Sequence, residues 1–180
     1  YLSSSSSTDI AFVSNKIIYA PEDCQKLFYT MISVSSFEFT NFNTSHVTDM
    51  SWMFSLKNPS QNAITRAGER DTDVLNTKLT TLDLHSFDTS NVTDMRYMFA
   101  GCQAMKSVNL DGFDTSKVTN MIYMFRFDSS LETLDLSLFN TSNVIYIYEM
   151  FDECTGIKYL DLSSFNLTKV SYFGGLLQFG

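Results

Sequence analysis

Histidine, proline and glycine are all scarce in this chain, at two, two and seven of 180 residues. Neither histidine, His46 or His85, has a Ser or Cys partner at a recognisable spacing, and no His or Cys cluster with metal-ligand spacing occurs. A glycine-rich loop able to cradle phosphate is also missing. An enzyme is therefore not expected, nor is a cofactor or a metal. Three cysteines, Cys24, Cys102 and Cys154, cannot all pair within one chain and stand far apart, so disulfides are not the basis of stability. Cys102 and Cys154 lie two periods apart in one column, too far for a bridge, and read as small buried hydrophobes. No apolar run approaches the roughly 18 residues that span a bilayer. Twelve basic against twenty acidic residues give a net charge of -8 with no basic cluster. That excludes nucleic-acid binding by phosphate neutralisation and favours a cationic partner or a neutral surface. The chain opens on Tyr1, so a native start and any signal peptide are expected to lie outside it.

Phenylalanine and methionine, by contrast, are plentiful at sixteen and nine, in a chain 44% apolar and 18% charged. That is the composition of one folded domain. The long apolar side chains are placed by a repeat. Asp88-Thr89-Ser90-Asn91-Val92-Thr93-Asp94-Met95-Arg96-Tyr97-Met98-Phe99 recurs from Asp114 to Phe125, Thr89 moving to Thr115, a period of 26. A third copy starts at Asn140, and an eroded fourth at Asn166, where Leu167 replaces Thr. An earlier copy, Asn43 to Phe54, precedes the Asp88 copy by 45 residues, one period plus 19 inserted ones. Leu27 and Phe28 at one end, and Leu176 and Leu177 at the other, keep the register. The ends are either atypical caps or cuts from a longer array.

Within one unit, Leu79-Thr80-Thr81-Leu82-Asp83-Leu84 alternates as a strand does, with Leu82 and Leu84 inward. Val108 and Leu110, Leu134 and Leu136, and Leu160 and Leu162 repeat the pattern, and Phe87, Phe113, Phe139 and Phe165 form a column at the following turn. Met95, Met98 and Phe99 share one face at i, i+3 and i+4, which predicts a short helix capped by Thr93 or Asp94. The expected fold is an α/β solenoid, a leucine-rich-repeat-like right-handed coil with one short parallel strand and one short helix per 26 residues. Its expected parts are an N-terminal extension or cap over 1–20, a single repeat domain over 21–177 with an insertion at about 55–78, and a tail over 178–180.

The pattern Leu82-Asp83-Leu84-x-x-Phe87-Asp88-Thr89-Ser90-Asn91-Val92-Thr93-Asp94-Met95-x-x-Met98-Phe99-x-x-Cys102 resembles the repeat of the BspA-like leucine-rich-repeat surface proteins, from Pro21 to Leu177. The resemblance implies a cell-surface or secreted protein with an adhesin-like role. It implies no catalytic residue.

Positions on the outer strand face are the candidate ligand-binding residues. Glu38, Asp83, Asn109, Asp135 and Asp161 form a polar column between the inward leucines, where stacked like charges must be offset. The column is either an acidic stripe for a basic peptide or cation, or a ladder bonded to flanking Ser and Thr such as Thr81 and Thr133, the second reading being preferred. Beside it runs the variable column Thr40, His85, Asp111, Ser137, Ser163, in which His85 and Asp111 are candidates. A second column, Asp88, Asp114, Asn140 and Asn166, each followed within two residues by Thr or Ser able to bond turn backbone, reads as structural. An ice-binding threonine array is disfavoured because Leu167 breaks the column of Thr89, Thr115 and Thr141. Trp52, Tyr97 and Tyr123, interrupted by Glu149, read as packing between neighbouring helices before a stacking surface for sugar or peptide. The insertion, with Lys57, Arg66, Arg70 and Lys78, is the one irregular stretch; Arg66 and Arg70 are candidates there, against a tolerated surface loop. Two functions follow as expectations: a recognition module for a host or neighbouring-cell protein or glycan, or a structural spacer displaying another domain.

Overall fold

The computed structural model describes residues 9–29, 31, 33–55 and 78–178. Six short strands occur among the described residues: β1 (Asp9–Phe12), β2 (Ile18–Tyr19), β3 (Ser36–Phe39), β4 (Phe42–Asn43), β5 (Thr81–Asp83) and β6 (Ser107–Asn109). They pair in parallel and only in twos: β1 with β3, Asp9 opposite Ser36; β2 with β4, Ile18 opposite Phe42; β5 with β6, Leu82 opposite Val108. Single parallel bridges link the units elsewhere, running Asp23–Asp49–Asp94–Asn120–Tyr146–Tyr172. Residues 9–20, expected as an extension or cap, thus carry two strands that pair with Ser36–Phe39 and Phe42–Asn43, the stretch leading into the first clear copy of the repeat.

No helix is present among the described residues. This overturns the expected α/β solenoid with a helix per repeat; nor do the two-stranded pairs merge into a sheet closing a coil. The reason lies in where the amides of the Met-x-x-Met-Phe segment go. A helix would send each N–H to the carbonyl four residues back. Instead Met95, Tyr97, Phe99 and Gly101 donate to Asn120, Ile122, Met124 and Arg126 of the next unit, at 2.8 to 3.0 Å. Between them Met98, Ala100 and Cys102 donate three residues back, to Met95, Tyr97 and Phe99. Arg96 completes the set by donating to Asp94 Oδ1 at 2.9 Å. Every amide from 95 to 102 is therefore satisfied without a helix, as buried backbone requires.

This weave places left-handed residues in two columns, one of them Gly101, Phe127 and Glu153 at φ 60° to 87° and the other running the length of the repeat. Lys26, Trp52, Tyr97, Tyr123 and Glu149 hold φ between 50° and 61°, and Gly175 continues the column at 70°. A left-handed non-glycine costs roughly 1–2 kcal/mol, and here the inter-unit bonds and ring stacking offset it. Trp52 stacks on Tyr97 at 3.8 Å between centroids, and Tyr97 lies 4.6 Å from Tyr123. Past Glu149 the ladder passes sideways, Tyr123 to Tyr148 at 5.1 Å and Tyr148 to Tyr172 at 5.5 Å. The column is packing, as expected, but between turns and not between helices.

The core is a set of columns running along the repeat. Phe28, Phe54, Phe99, Phe125 and Phe151 stack in line, 5.2 to 5.9 Å apart. Met50, Met53, Met95, Met98, Met121, Met124 and Met150 are wholly buried, as are Val47, Val92, Val118 and Val144. Leu82, Leu84, Val108, Leu110 and Leu136 point inward, with Phe87, Phe113 and Phe139 beside them. Met95, Met98 and Phe99 share a buried face because the left-handed turn at Tyr97 reverses the chain, so a 3.6-like pattern arises with no helix.

Threonine locks the units together. Thr115, 1% exposed, accepts the amide of Asn140 at 2.8 Å and donates to the carbonyl of the same residue at 3.1 Å. Thr44, Thr89 and Thr141 do the same for Asp88, Asp114 and Asn166. These hydroxyls are buried, so they form no exposed array.

Candidate functional site

The outer strand face owes its geometry to strand alternation: with Leu82 and Leu84 buried, Asp83 and His85 must face solvent. Glu38, Asp83, Asp135 and Asp161 are exposed there, as are His85 and Asp111. The carboxylates are not bonded to flanking Ser or Thr across the units. Each instead turns back on its own chain: Asp83 Oδ1 accepts the amide of His85 at 3.1 Å, Asp135 Oδ1 that of Ser137 at 2.9 Å, and Asp161 Oδ1 that of Ser163 at 2.8 Å. Asn109 does the same for Asp111, at 3.0 Å. The column ends each strand with an Asx turn. Glu38, one methylene longer, takes the Thr40 hydroxyl at 3.0 Å.

These bonds set the charges. Hydrogen bonds from the Ser137 and Ser163 amides and hydroxyls hold the Asp135 and Asp161 carboxyls below the usual range. At Asp83, partial burial works the other way, and the ring and amide of His85 overcome it, so this carboxyl too is lowered. His85 Nδ1 lies 2.8 Å from Asp83 Oδ1, with both side chains more than half exposed. The pair is a solvated surface contact. Asp111 is not drawn into it, and its carboxylate has no hydrogen-bond partner among the described residues.

Between the units of β6 and the next strand position, the face dips into a hollow of about 120 Å³ lined by Asn109, Leu110, Asp111, Asp135, Leu138 and Phe139. It brings together two candidates, Asp111 and Asp135, that sequence reasoning placed in different columns. It adds one residue that reasoning missed. Leu138 is 66% exposed, at a position held elsewhere by Asn41, Ser86, Gly112 and Ser164. An apolar side chain in a column of small polar ones was the available signal. Glu38, Asp83, His85 and Asp161 lie on the same face outside the hollow. Arg66, Arg70 and nearly all of the insertion lie outside the described residues.

The remaining polar columns are scaffold. Asp88 and Asp114 accept the amides of Ser90 and Ser116 at 3.0 and 2.8 Å, and hydrogen bonds from those serines lower both carboxyls. Asn140 and Asn166 repeat the bond with Ser142 and Thr168. The three cysteines are free and buried; burial pushes the Cys24 thiol up to about 11 and the other two also upward. Asp128, between Cys102 and Cys154 in their column, is wholly buried and caps the Cys102 amide at 2.8 Å. Burial raises its carboxyl far above the usual range, and its Oδ2 has no partner. Arg126 clasps the next unit, 2.6 Å from Asp152 and 3.4 Å from Glu149. Among the described residues no group of three His, Cys, Asp or Glu is placed to hold a metal, and no helix is long and apolar enough to cross a membrane.

No curated protein and no solved structure matches the chain. A family match does cover it, over residues 22–67 and 70–178, that is, through all the clear copies of the repeat and the chain just before them. With most of its length matched, the chain belongs to the DUF285 family, described as Mycoplasma protein of unknown function.

Proposed function

We propose that this chain is a recognition module, secreted or displayed on a cell surface in the manner of the BspA-like proteins its repeat resembles. Its outer strand face takes a basic segment of a host or neighbouring-cell macromolecule. The observation that carries the reading is the hollow in which Asp111 and Asp135 flank the exposed Leu138. Most of the Asx columns spend their side chains on the backbone of their own turns, whereas here a carboxylate without a partner among the described residues and a second one with a spare oxygen flank an apolar surface. A lysine or arginine fits such a place by laying its aliphatic stem on Leu138 and its charge between the carboxylates. The net charge of -8 adds long-range attraction for a cationic partner. Binding, and not catalysis, is what two solvated carboxylates and a leucine offer.

The test is capture of Lys- and Arg-rich peptides by the immobilised chain, compared with the triple variant Asp111→Asn, Asp135→Asn, Leu138→Ser. All three sites are exposed, so the variant should melt within a few degrees of the parent. It should lose most of the capture, and raising the salt should weaken the parent's. Equal capture by both proteins removes the hollow from the reading. No capture by either, with extracts of host cells or matrix equally silent, leaves the chain a spacer that displays another domain.

A further inference from the structure

The hollow on the outer strand face is also a gap in the backbone ladder. One unit earlier, the Leu84 amide donates to the Asn109 carbonyl at 3.0 Å and closes β5 onto β6. The equivalent pair one period later, Leu110 and Asp135, does not close. β6 meets the next unit by a single bridge, Ser107 opposite Thr133. Beyond it the Leu110 amide has no acceptor and the Asp135 carbonyl no donor among the described residues. Both residues line the hollow. Backbone groups left open in this way are rare in a fold, and a ligand that bonds to them gains what the ladder leaves unmade.

The side chains add to the gap. Asp135 uses only Oδ1, on the Ser137 amide, and the Asp111 carboxylate makes no bond among the described residues. Four oxygens therefore stand open, the carbonyl and Oδ2 of Asp135 and both carboxylate oxygens of Asp111, against one N–H, that of Leu110. The apolar lining is Leu110 and Phe139, both buried, with the exposed Leu138 beside them. The next junction lacks this set: its corresponding side chains are Ser137, Asp161 and Ser164, and the Ser164 hydroxyl donates to the Leu136 carbonyl at 3.0 Å.

We propose that the hollow is an arginine pocket that discriminates against lysine. The assignment rests on the recognition reading and narrows its ligand from a basic segment to one that carries arginine. Four open acceptors outnumber the three donors of an ammonium. A guanidinium brings five N–H groups in one plane and grips a carboxylate with two of them at once. A gap between two strand backbones is a slot, which a planar group enters edge-on. The guanidinium is also the more weakly hydrated cation, so it loses less on leaving water for a hollow lined by Leu110, Leu138 and Phe139. The arginine stem lies on Leu138, and a main-chain carbonyl of the same segment takes the Leu110 amide.

Fluorescence anisotropy with a pair of labelled peptides tests it, the two blocked at both termini and identical but for arginine or lysine at every basic position. Their equal charge cancels the long-range attraction of the acidic chain, so a difference between them reports the pocket. The arginine peptide should bind about tenfold tighter, the equivalent of one further charge-assisted hydrogen bond. A peptide with citrulline in place of arginine, which keeps the shape and loses the charge, should bind more weakly than either. In the triple variant Asp111→Asn, Asp135→Asn, Leu138→Ser, whose folding a thermal melt checks, the preference should vanish. Equal binding of the arginine and lysine peptides overturns the arginine pocket and leaves the recognition reading standing. Failure of both to bind overturns the two together. A preference that survives in the triple variant overturns the pocket as well, because the discrimination then lies elsewhere on the surface.

Discussion

Thr115→Val isolates the threonine lock. The substitution keeps the shape of the side chain and removes only the hydroxyl, which is 1% exposed as part of Thr115 and makes two bonds to one residue of the next unit. Each such bond contributes about 0.5–1.5 kcal/mol, and a buried polar group left without its partner costs about 1–3 kcal/mol. The expected loss is about 2 kcal/mol. With a urea dependence of about 2 kcal/mol per molar, the unfolding midpoint should fall by about 1 M, and the melting temperature by about 4–8 °C for a chain of this size. Thr115→Ser keeps the oxygen and should recover most of the loss. Thr93→Val is the control, since its hydroxyl also reaches the preceding unit, at 3.2 Å from the Thr48 carbonyl, but from the surface; it should stay within about 0.5 kcal/mol of the parent. If Thr115→Val and Thr93→Val melt together, the buried hydroxyl is not what fastens the units.

Phe125→Ala should cost about 3–5 kcal/mol, because its wholly buried ring stacks between Phe99 and Phe151 and no neighbour can collapse into the gap; chemical denaturation measures it. Asp88 and Asp114 carry lowered carboxyls, so their contribution is present above the unfolded value of about 3.9 and is lost as pH falls through the folded one. Asp88→Asn with Asp114→Asn copies the Asn140 and Asn166 of the same column, and its melting temperature should decline less than the parent's below that pH. Asp128 has the opposite sign: its raised carboxyl favours the fold below about 3.9, and that contribution is lost as pH rises through its folded value. Asp128→Asn keeps an acceptor for the Cys102 amide and does not ionise, so its melting temperature should gain on the parent's as pH rises. A constant difference across the range would show that the buried carboxyl does not titrate with folding.

The 26-residue period and the identity of the buried columns were legible in the sequence, because burial is periodic wherever the scaffold is. What period alone does not reveal is the backbone that produces it. Met95, Met98 and Phe99 at i, i+3 and i+4 fit one face of a helix equally well as they fit a chain that reverses at a left-handed Tyr97. Tyrosine, tryptophan and glutamate give no sign of that conformation; only Gly175, at the sixth position of the column, carried the usual mark. The competing principle was that the amides of this segment had partners waiting one unit away, so the local bonds that would have made a helix were given to the neighbouring unit.

The site was legible to a lesser degree, and for a related reason. A repeat inherits its polar columns as scaffold, and the acidic column turned out to serve its own turns: the first oxygen of Asp83, Asp135 and Asp161 holds the backbone two residues on. Function in such a chain has to reside in what the backbone leaves over. At the hollow that remainder is the spare oxygen of Asp135, the carboxylate of Asp111 and the leucine that stands where neighbouring units carry Asn, Ser or Gly. The hollow comes from a single departure from the repeat, and so could be found by reading down a column.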